Sequence, residues 1–159
     1  MGRNGRSGGA GIDIRQNSDN ENVKEKKMIL IFGGAYQGKL DWAKKEYHIK
    51  EEEIFFCTAE AKEKEALPGI DLDAHVIYSL ESFTLDCVRK GIEAKDYMRK
   101  NRDRLENKII ICTDISQGVV PRQKEQRDWR EMTGRVMNYL AAEADEVIRI
   151  FCGLPHKVK

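Results

Sequence analysis

Five short apolar runs divide this chain: Met28–Phe32, Ile54–Cys57, His75–Leu80, Lys108–Cys112 and Glu146–Phe151. A run such as Met28-Ile29-Leu30-Ile31-Phe32 has no polar alternate, so it reads as a strand covered on both faces. Helical patterns lie between the runs. Leu40, Ala43 and Tyr47 recur at helical spacing and predict a helix over 39–47. Ser82 is placed to cap a helix running to Lys90, with Gly91 ending it. Ala94, Met98, Asn101 and Leu105 mark another stripe, and Trp129, Met132, Val136 and Leu140 mark a long helix from about Gln126 to Ala144. Residues 59–73 are polar around a Pro68-Gly69 turn, Asp114–Pro121 reads as a loop, and Gly153-Leu154-Pro155 closes the last strand. Strands alternating with helices predict an α/β domain of three layers, with a mostly parallel sheet of about five strands. Ligands on such sheets sit at the carboxyl ends of the strands.

The alternation begins abruptly at Met28. Residues 1–27 hold only five apolar side chains and five glycines, too little apolar surface to offset the entropy of ordering. They are expected to form a disordered N-terminal tail, leaving 28–159 as one folded domain. The tail carries six basic and four acidic residues, so a chain of net charge +1 has a folded part near −1. That balance offers no electrostatic footprint for nucleic acid. No run approaches the roughly 20 apolar residues of a membrane span, and the N-terminus lacks the apolar core of a signal peptide. Cys57, Cys87, Cys112 and Cys152 stand 30, 25 and 40 residues apart with no Cys-x-x-Cys pair, which argues against a zinc knuckle or a dithiol redox motif. Buried free thiols in a cytoplasmic protein are the expectation.

The chemistry-bearing motif follows the first strand. Gly33-Gly34-Ala35-Tyr36-Gln37-Gly38-Lys39 matches seven positions of G-x-x-x-x-G-K-[ST]. Its glycines let backbone N–H groups curl around an anion, the following helix adds its positive end, and Lys39 would reach the β- and γ-phosphates. The eighth position is Leu40, where a hydroxyl would hold Mg²⁺. Asp41, Asp114, water or the phosphates themselves would then hold the metal. Asp114 directly follows the fourth strand, a place suited to metal or water contacts, and it equally suits a turn. The expectation is a P-loop NTPase-like fold that binds GTP or ATP with Mg²⁺.

Longer stretches resemble a known family. Asp114-Ile115-Ser116-Gln117-Gly118-Val119-Val120-Pro121 resembles the loop Asn-Glu-Val-Gly-x-Gly-Ile-Val-Pro of the bifunctional adenosylcobinamide kinase / adenosylcobinamide-phosphate guanylyltransferases. Residues 127–136 are similar to that family's Arg-x-Phe-Arg-Asp-x-x-Gly-Arg-Val, residues 140–147 to its Leu-Ala-Ala-x-Ala-Asp-Glu-Val, and residues 153–159 to its Gly-Leu-Pro-x-Lys-x-Lys terminus. Ile31-Phe32-Gly33-Gly34-Ala35 opens like its Val-Thr-Gly-Gly-Ala.

The resemblance implies a cobalamin-pathway transferase and a homo-oligomer. Such an enzyme phosphorylates a cobinamide hydroxyl, then transfers GMP from GTP to that phosphate through a guanylyl-histidine. Lys39 and Asp114 are the expected catalytic residues, with Asp114 also a magnesium ligand. The departures are specific. The family's guanylylated histidine lies between strands two and three, where Thr58–Ala74 here contains no histidine. His48, His75 and His156 stand elsewhere, only Glu81 lies near the place of the family's strand-three acid, and the loop after strand four is one residue shorter. This favours the kinase half over the guanylyltransferase half. Two alternatives follow: Leu40 and the missing histidine suit a nucleotide-binding module without catalysis, and the shortened middle suits a small-molecule kinase with another acceptor.

Overall fold

The first apolar run becomes the middle of the sheet. A computed structural model describes residues 26–59 and 69–159. Strand β1 (Ile29–Gly33) lies between β4 (Ile109–Thr113) and β5 (Glu146–Phe151) and pairs in parallel with both. Strand β3 (Val76–Tyr78) joins β4, and β2 (Ile54–Phe56) joins β3, again in parallel. These are the five expected strands.

A sixth was not expected. Residues Leu154–Lys157 form β6, antiparallel to β5, so the order is β2-β3-β4-β1-β5-β6. All four β6 residues are exposed, which is why no apolar pattern announces it. Its Pro155 suits an edge, where a missing N–H interrupts no ladder on the solvent side.

Side-chain alternation along the central strands assigns the two faces. Ile29, Ile31, Ile109, Ile111, Ile148 and Ile150 pack with Ala43 of helix α1 (Lys39–Tyr47). On the other face Leu30, Ile110 and Val147 pack under α2 (Leu80–Lys90), α3 (Ala94–Lys100) and α4 (Lys124–Glu143). The predicted α4 stripe holds: Met132, Val136 and Leu140 are buried, and Trp129 is partly so. The fold is thus α/β, a mostly parallel sheet between helices, of the P-loop NTPase type.

Three expectations are corrected. Helix α2 starts earlier than Ser82: Ser79, with φ 63°, stands at its cap, and the Ser82 N–H donates to the Ser79 carbonyl at 2.9 Å inside the first turn. The stripe through Leu105 is not one helix. The α3 helix ends at Lys100, where the Asn101 side-chain amide donates to the Tyr97 carbonyl at 2.8 Å, and Leu105 is buried from a separate 3-10 turn, Arg102–Leu105. Of the four thiols, Cys57, Cys87 and Cys112 are buried, but Cys152 is exposed in the β5–β6 turn. The expected tail over 1–27 lies outside the described residues except for Lys26 and Lys27, as does Pro68 of the Pro68-Gly69 turn. Among the described residues no helix is long and apolar enough to cross a membrane.

The site follows from this topology. The chain leaves β1 toward α1 on one face and leaves β4 toward α4 on the other. Adjacent parallel strands whose connections part in this way open a crevice at their carboxyl ends.

Candidate functional site

Gly33 ends β1 opposite Thr113 of β4, and its carbonyl accepts the Asp114 N–H at 2.8 Å. A Cβ at Gly33 would collide with the Ile150 carbonyl, so this position requires glycine. The loop then turns through Tyr36 (φ 58°) and Gly38 (φ 78°). Left-handed backbone is free for glycine but costs about 1–2 kcal/mol for tyrosine. Gln37 holds the loop in place. Its Oε1 accepts the Cys152 N–H at 2.5 Å and its carbonyl accepts the Gly153 N–H at 3.0 Å, tying the loop to the β5–β6 turn.

Lys39 opens α1 and is only 5 % exposed. Its Nζ donates to the Gly34 carbonyl at 2.7 Å, across its own loop. Burial pulls its pKa below the ordinary lysine value, and the negative charge of Glu81 opposes that shift. Leu40 turns toward the apolar cluster beneath α1. The residue that departs from the phosphate-loop pattern is therefore used in packing.

Lys39 shares a cleft of about 660 Å³ with Asp41, Tyr78, Glu81, Thr113 and Trp129. Glu81 is the best-anchored acid in it. Its Oε2 accepts the Thr113 N–H at 2.8 Å and its Oε1 accepts the Ser79 hydroxyl at 2.9 Å. One carboxylate thereby joins the head of α2 to the end of β4, beside the start of the glycine loop. Tyr78 stacks edge-on against Phe56 at 5.3 Å and closes one side.

Asp114 behaves differently. Its Oδ1 accepts both the Ser116 N–H (2.9 Å) and the Ser116 hydroxyl (2.5 Å), and its Oδ2 accepts the Gln117 amide at 3.1 Å. Burial pushes this carboxyl up, but the Ser116 and Gln117 bonds outweigh it and hold the carboxyl below the usual range. Asp114 lines a neighbouring slot of about 180 Å³, with Phe32, Gly134 and Met137, rather than the cleft of Lys39. Arg130 fastens the same loop by donating to the carbonyls of Ser116, Gly118 and Val119.

The structure therefore brings residues 35–40 to one cleft, with Gly33 and Gly34 at its root, and places Asp114 beside it. It adds Glu81, Tyr78, Thr113 and Trp129. Only Glu81 had a sequence signal, as the lone acid after the third strand; the others meet through tertiary contacts. Among the described residues no histidine lines the cleft. None of them forms a group of three or more His, Cys, Asp or Glu side chains able to hold a metal.

Comparison with known proteins meets this geometry in its second half. Residues 80–158 match the family described as cobinamide kinase / cobinamide phosphate guanyltransferase. The bifunctional adenosylcobalamin biosynthesis protein CobU of Salmonella typhimurium is 35% identical over 51 residues, 32% of this chain and 28% of the relative. The Escherichia coli protein of the same description is 33% identical over 51 residues, with the same shares. Under a third of either relative's length is thus matched. Glu81, Thr113, Asp114 and Trp129 fall inside the family match, and the glycine loop falls outside it.

Proposed function

We propose, from the premise that the chain is a divergent member of the cobinamide kinase / cobinamide phosphate guanyltransferase family over residues 80–158, that it is a nucleotide-dependent transferase acting on a cobinamide in cobalamin biosynthesis. The observation that carries this reading is the meeting of Lys39 and Glu81 in one cleft at the β1/β4 crevice.

In this proposal the backbone of residues 33–38 cradles the triphosphate of GTP or ATP. Lys39 leaves the Gly34 carbonyl and neutralises charge on the transferring phosphoryl group. Positioning and electrostatics supply most of the rate in such reactions. The acceptor hydroxyl oxygen bonds to the γ-phosphorus, the bond from that phosphorus to the β-bridging oxygen breaks, and the nucleoside diphosphate leaves. The hydroxyl proton passes to a carboxylate or to water. For the second half-reaction the phosphate of the product attacks the α-phosphorus of GTP and pyrophosphate leaves. With no histidine among the described residues lining the cleft, that attack is proposed to be direct. The kinase step, which needs no covalent residue, is the half this proposal favours.

Magnesium fits the donors present. Asp41 and Glu81 are hard oxygen ligands in the cleft of Lys39, and Mg²⁺ is commonly held by one or two carboxylates together with substrate phosphates and water. When bound it would neutralise charge between the phosphates. Asp114, in the neighbouring slot, is a third carboxylate proposed to assist. The homo-oligomer is carried as part of this proposal, with sedimentation as its check.

Mass spectrometry of cobinamide incubated with the protein, Mg²⁺ and GTP or ATP tests the reading. A product heavier by one phosphate, absent with Lys39→Ala, is the expected result. A product heavier by phosphate plus GMP would add the second half-reaction. An unchanged corrinoid, with GTP bound but not turned over, would overturn it in favour of a nucleotide-binding module. That second reading has its own observation: Leu40, partly buried against the cluster beneath α1, supplies no hydroxyl. Phosphate transfer to another hydroxyl compound would point to a different acceptor.

A further inference from the structure

Trp129 comes from a distant element to the cleft, 48 residues after Glu81, and its indole makes a specific bond there. Nε1–H donates to the Glu81 carbonyl at 2.7 Å and lies 3.2 Å from Thr84 Oγ1. Thr84 is fully buried, and its hydroxyl donates to the same Glu81 carbonyl at 2.9 Å. The oxygens of Thr84 and buried Thr133 are 2.6 Å apart.

Proton counting orients this network. A hydroxyl has one proton. Thr84 spends its proton on the Glu81 carbonyl, so Thr133 donates to Thr84, and Trp129 donates to Glu81 and Thr84. Thr84 and Trp129 both donate to the Glu81 carbonyl, and Thr133 stands behind them as the donor to Thr84. The side chain of the same residue is held from the other direction by the Ser79 hydroxyl and the Thr113 N–H. Ser82 completes that set: Ser79 has given its proton to Glu81, so the 3.0 Å contact between Ser79 and Ser82 oxygens is a Ser82 donation. Glu81 is therefore gripped at both its carbonyl and its carboxylate, and only the first grip reaches α4.

We infer that Trp129 is a positioning residue, whose indole N–H fixes the backbone of Glu81 and so aims the Glu81 carboxylate into the cleft beside Lys39. The inference rests on the proposed reading of that cleft as a magnesium–nucleotide site. It differs from a wall or stacking role, in which the indole ring would touch the nucleotide and its N–H would be dispensable. Trp129→Phe separates the two, because phenylalanine keeps an aromatic ring and loses the donor.

The test is GTP affinity of the full-length protein, measured with and without Mg²⁺, for the wild type, Trp129→Phe, Glu81→Gln and the double variant. Circular dichroism and binding stoichiometry establish the folded fraction. The expected result is a roughly tenfold fall in the magnesium enhancement of affinity for each single variant, of the size that loss of a single positioning contact produces. Metal-free affinity should stay within about twofold, and the double variant should fall no further than Glu81→Gln alone. Equal loss of affinity with and without metal would overturn the inference, because the indole N–H would then support the nucleotide itself and not the magnesium. Independent, additive losses would overturn it in favour of a separate role for Trp129. Unchanged magnesium enhancement in a folded Trp129→Phe would overturn it outright. Absence of phosphoryl transfer by the wild type would sink the transferase reading while leaving this readout intact. Absence of GTP binding by the wild type would sink both.

Discussion

Glu81 and Asp114 make an instructive pair. Both follow the carboxyl ends of neighbouring strands, and both are acids near the glycine loop. Glu81 spends its carboxylate on the β4 end and the Ser79 hydroxyl, and its carbonyl on α2 and α4. Asp114 spends its carboxylate within three residues of itself, on Ser116 and Gln117. The first acid is a junction between elements; the second is the clasp of one loop. A carboxylate's partners thus indicate what it serves better than its distance from a motif does.

The largest effect that tests this contrast is on turnover. In the proposed transferase, Glu81→Gln keeps the size and loses the charge beside Lys39, and kcat should fall about 100-fold, the scale of removing one electrostatic group from a reacting centre. Asp114→Asn should cost less than about tenfold, because it acts through loop order. Steady-state kinetics of the two variants decides the matter. If Asp114→Asn proves the more damaging, the contrast is reversed and the magnesium belongs to the loop after β4.

Next in size is the effect on stability. Asp114→Ala removes three hydrogen bonds from an exposed loop and should cost about 1–2 kcal/mol, within the range for a few such bonds. The Asp114 carboxyl is held below its usual range by the Ser116 and Gln117 bonds, against the push of burial. Its contribution is therefore present above the ordinary carboxylate pKa and lost as pH falls through the lowered one. Urea melts of wild type and Asp114→Ala should converge in acid. Parallel curves down to the acid limit would show that the clasp holds nothing together.

Much of the fold could be read in the chain, for a physical reason. Strands buried on both faces must be apolar throughout, so β1 and β4 stand out, and a buried helix face repeats at 3.6, so the α4 stripe stands out. Strand β6 could not be read, because an exposed edge needs no apolar residue and Leu154–Lys157 has all four side chains in solvent. The glycine loop was legible because a tight strand-to-helix turn is built from consecutive residues. Glu81 with Trp129 was not, since the two meet only after α2 and α4 pack together. The Asp114 turn was visible as one of two options; its partners at Ser116 and Gln117 favour the turn.

The thiols extend the contrast between interior and surface. Burial pushes Cys57 up to about 12, with the negative charge of Glu81 adding to it, and burial also pushes Cys87 up to about 12. Cys112 is driven up as well, again chiefly by burial. Cys152 is exposed. Iodoacetamide at pH 8 should label Cys152 alone in the native protein, and all four thiols only after unfolding. Because the three buried thiols ionise later in the native protein than in the unfolded chain, stability should begin to fall as pH rises above about 9, the unfolded value. Rapid native labelling of Cys57 or Cys87 would show that the Glu81 side of the molecule opens far more readily than its packing implies.

The smallest effect isolates what holds the Glu81 side together. Ser79 sits at φ 63°, a left-handed position, while its hydroxyl bonds to Glu81. Ser79→Ala keeps the backbone strain and loses the hydroxyl; Ser79→Gly loses both. The difference between the two variants measures the strain, offset by the greater chain entropy of unfolded glycine, and should favour glycine by about 1 kcal/mol or less. The difference between wild type and Ser79→Ala measures the hydroxyl, again about 1 kcal/mol. Glycine should therefore be near neutral in stability, yet both variants should weaken the magnesium enhancement of GTP affinity alike, since both release the Glu81 carboxylate. If glycine restores that enhancement as well, strain rather than the Ser79 hydroxyl governs where Glu81 points, and the grip on its carboxylate reduces to the Thr113 N–H.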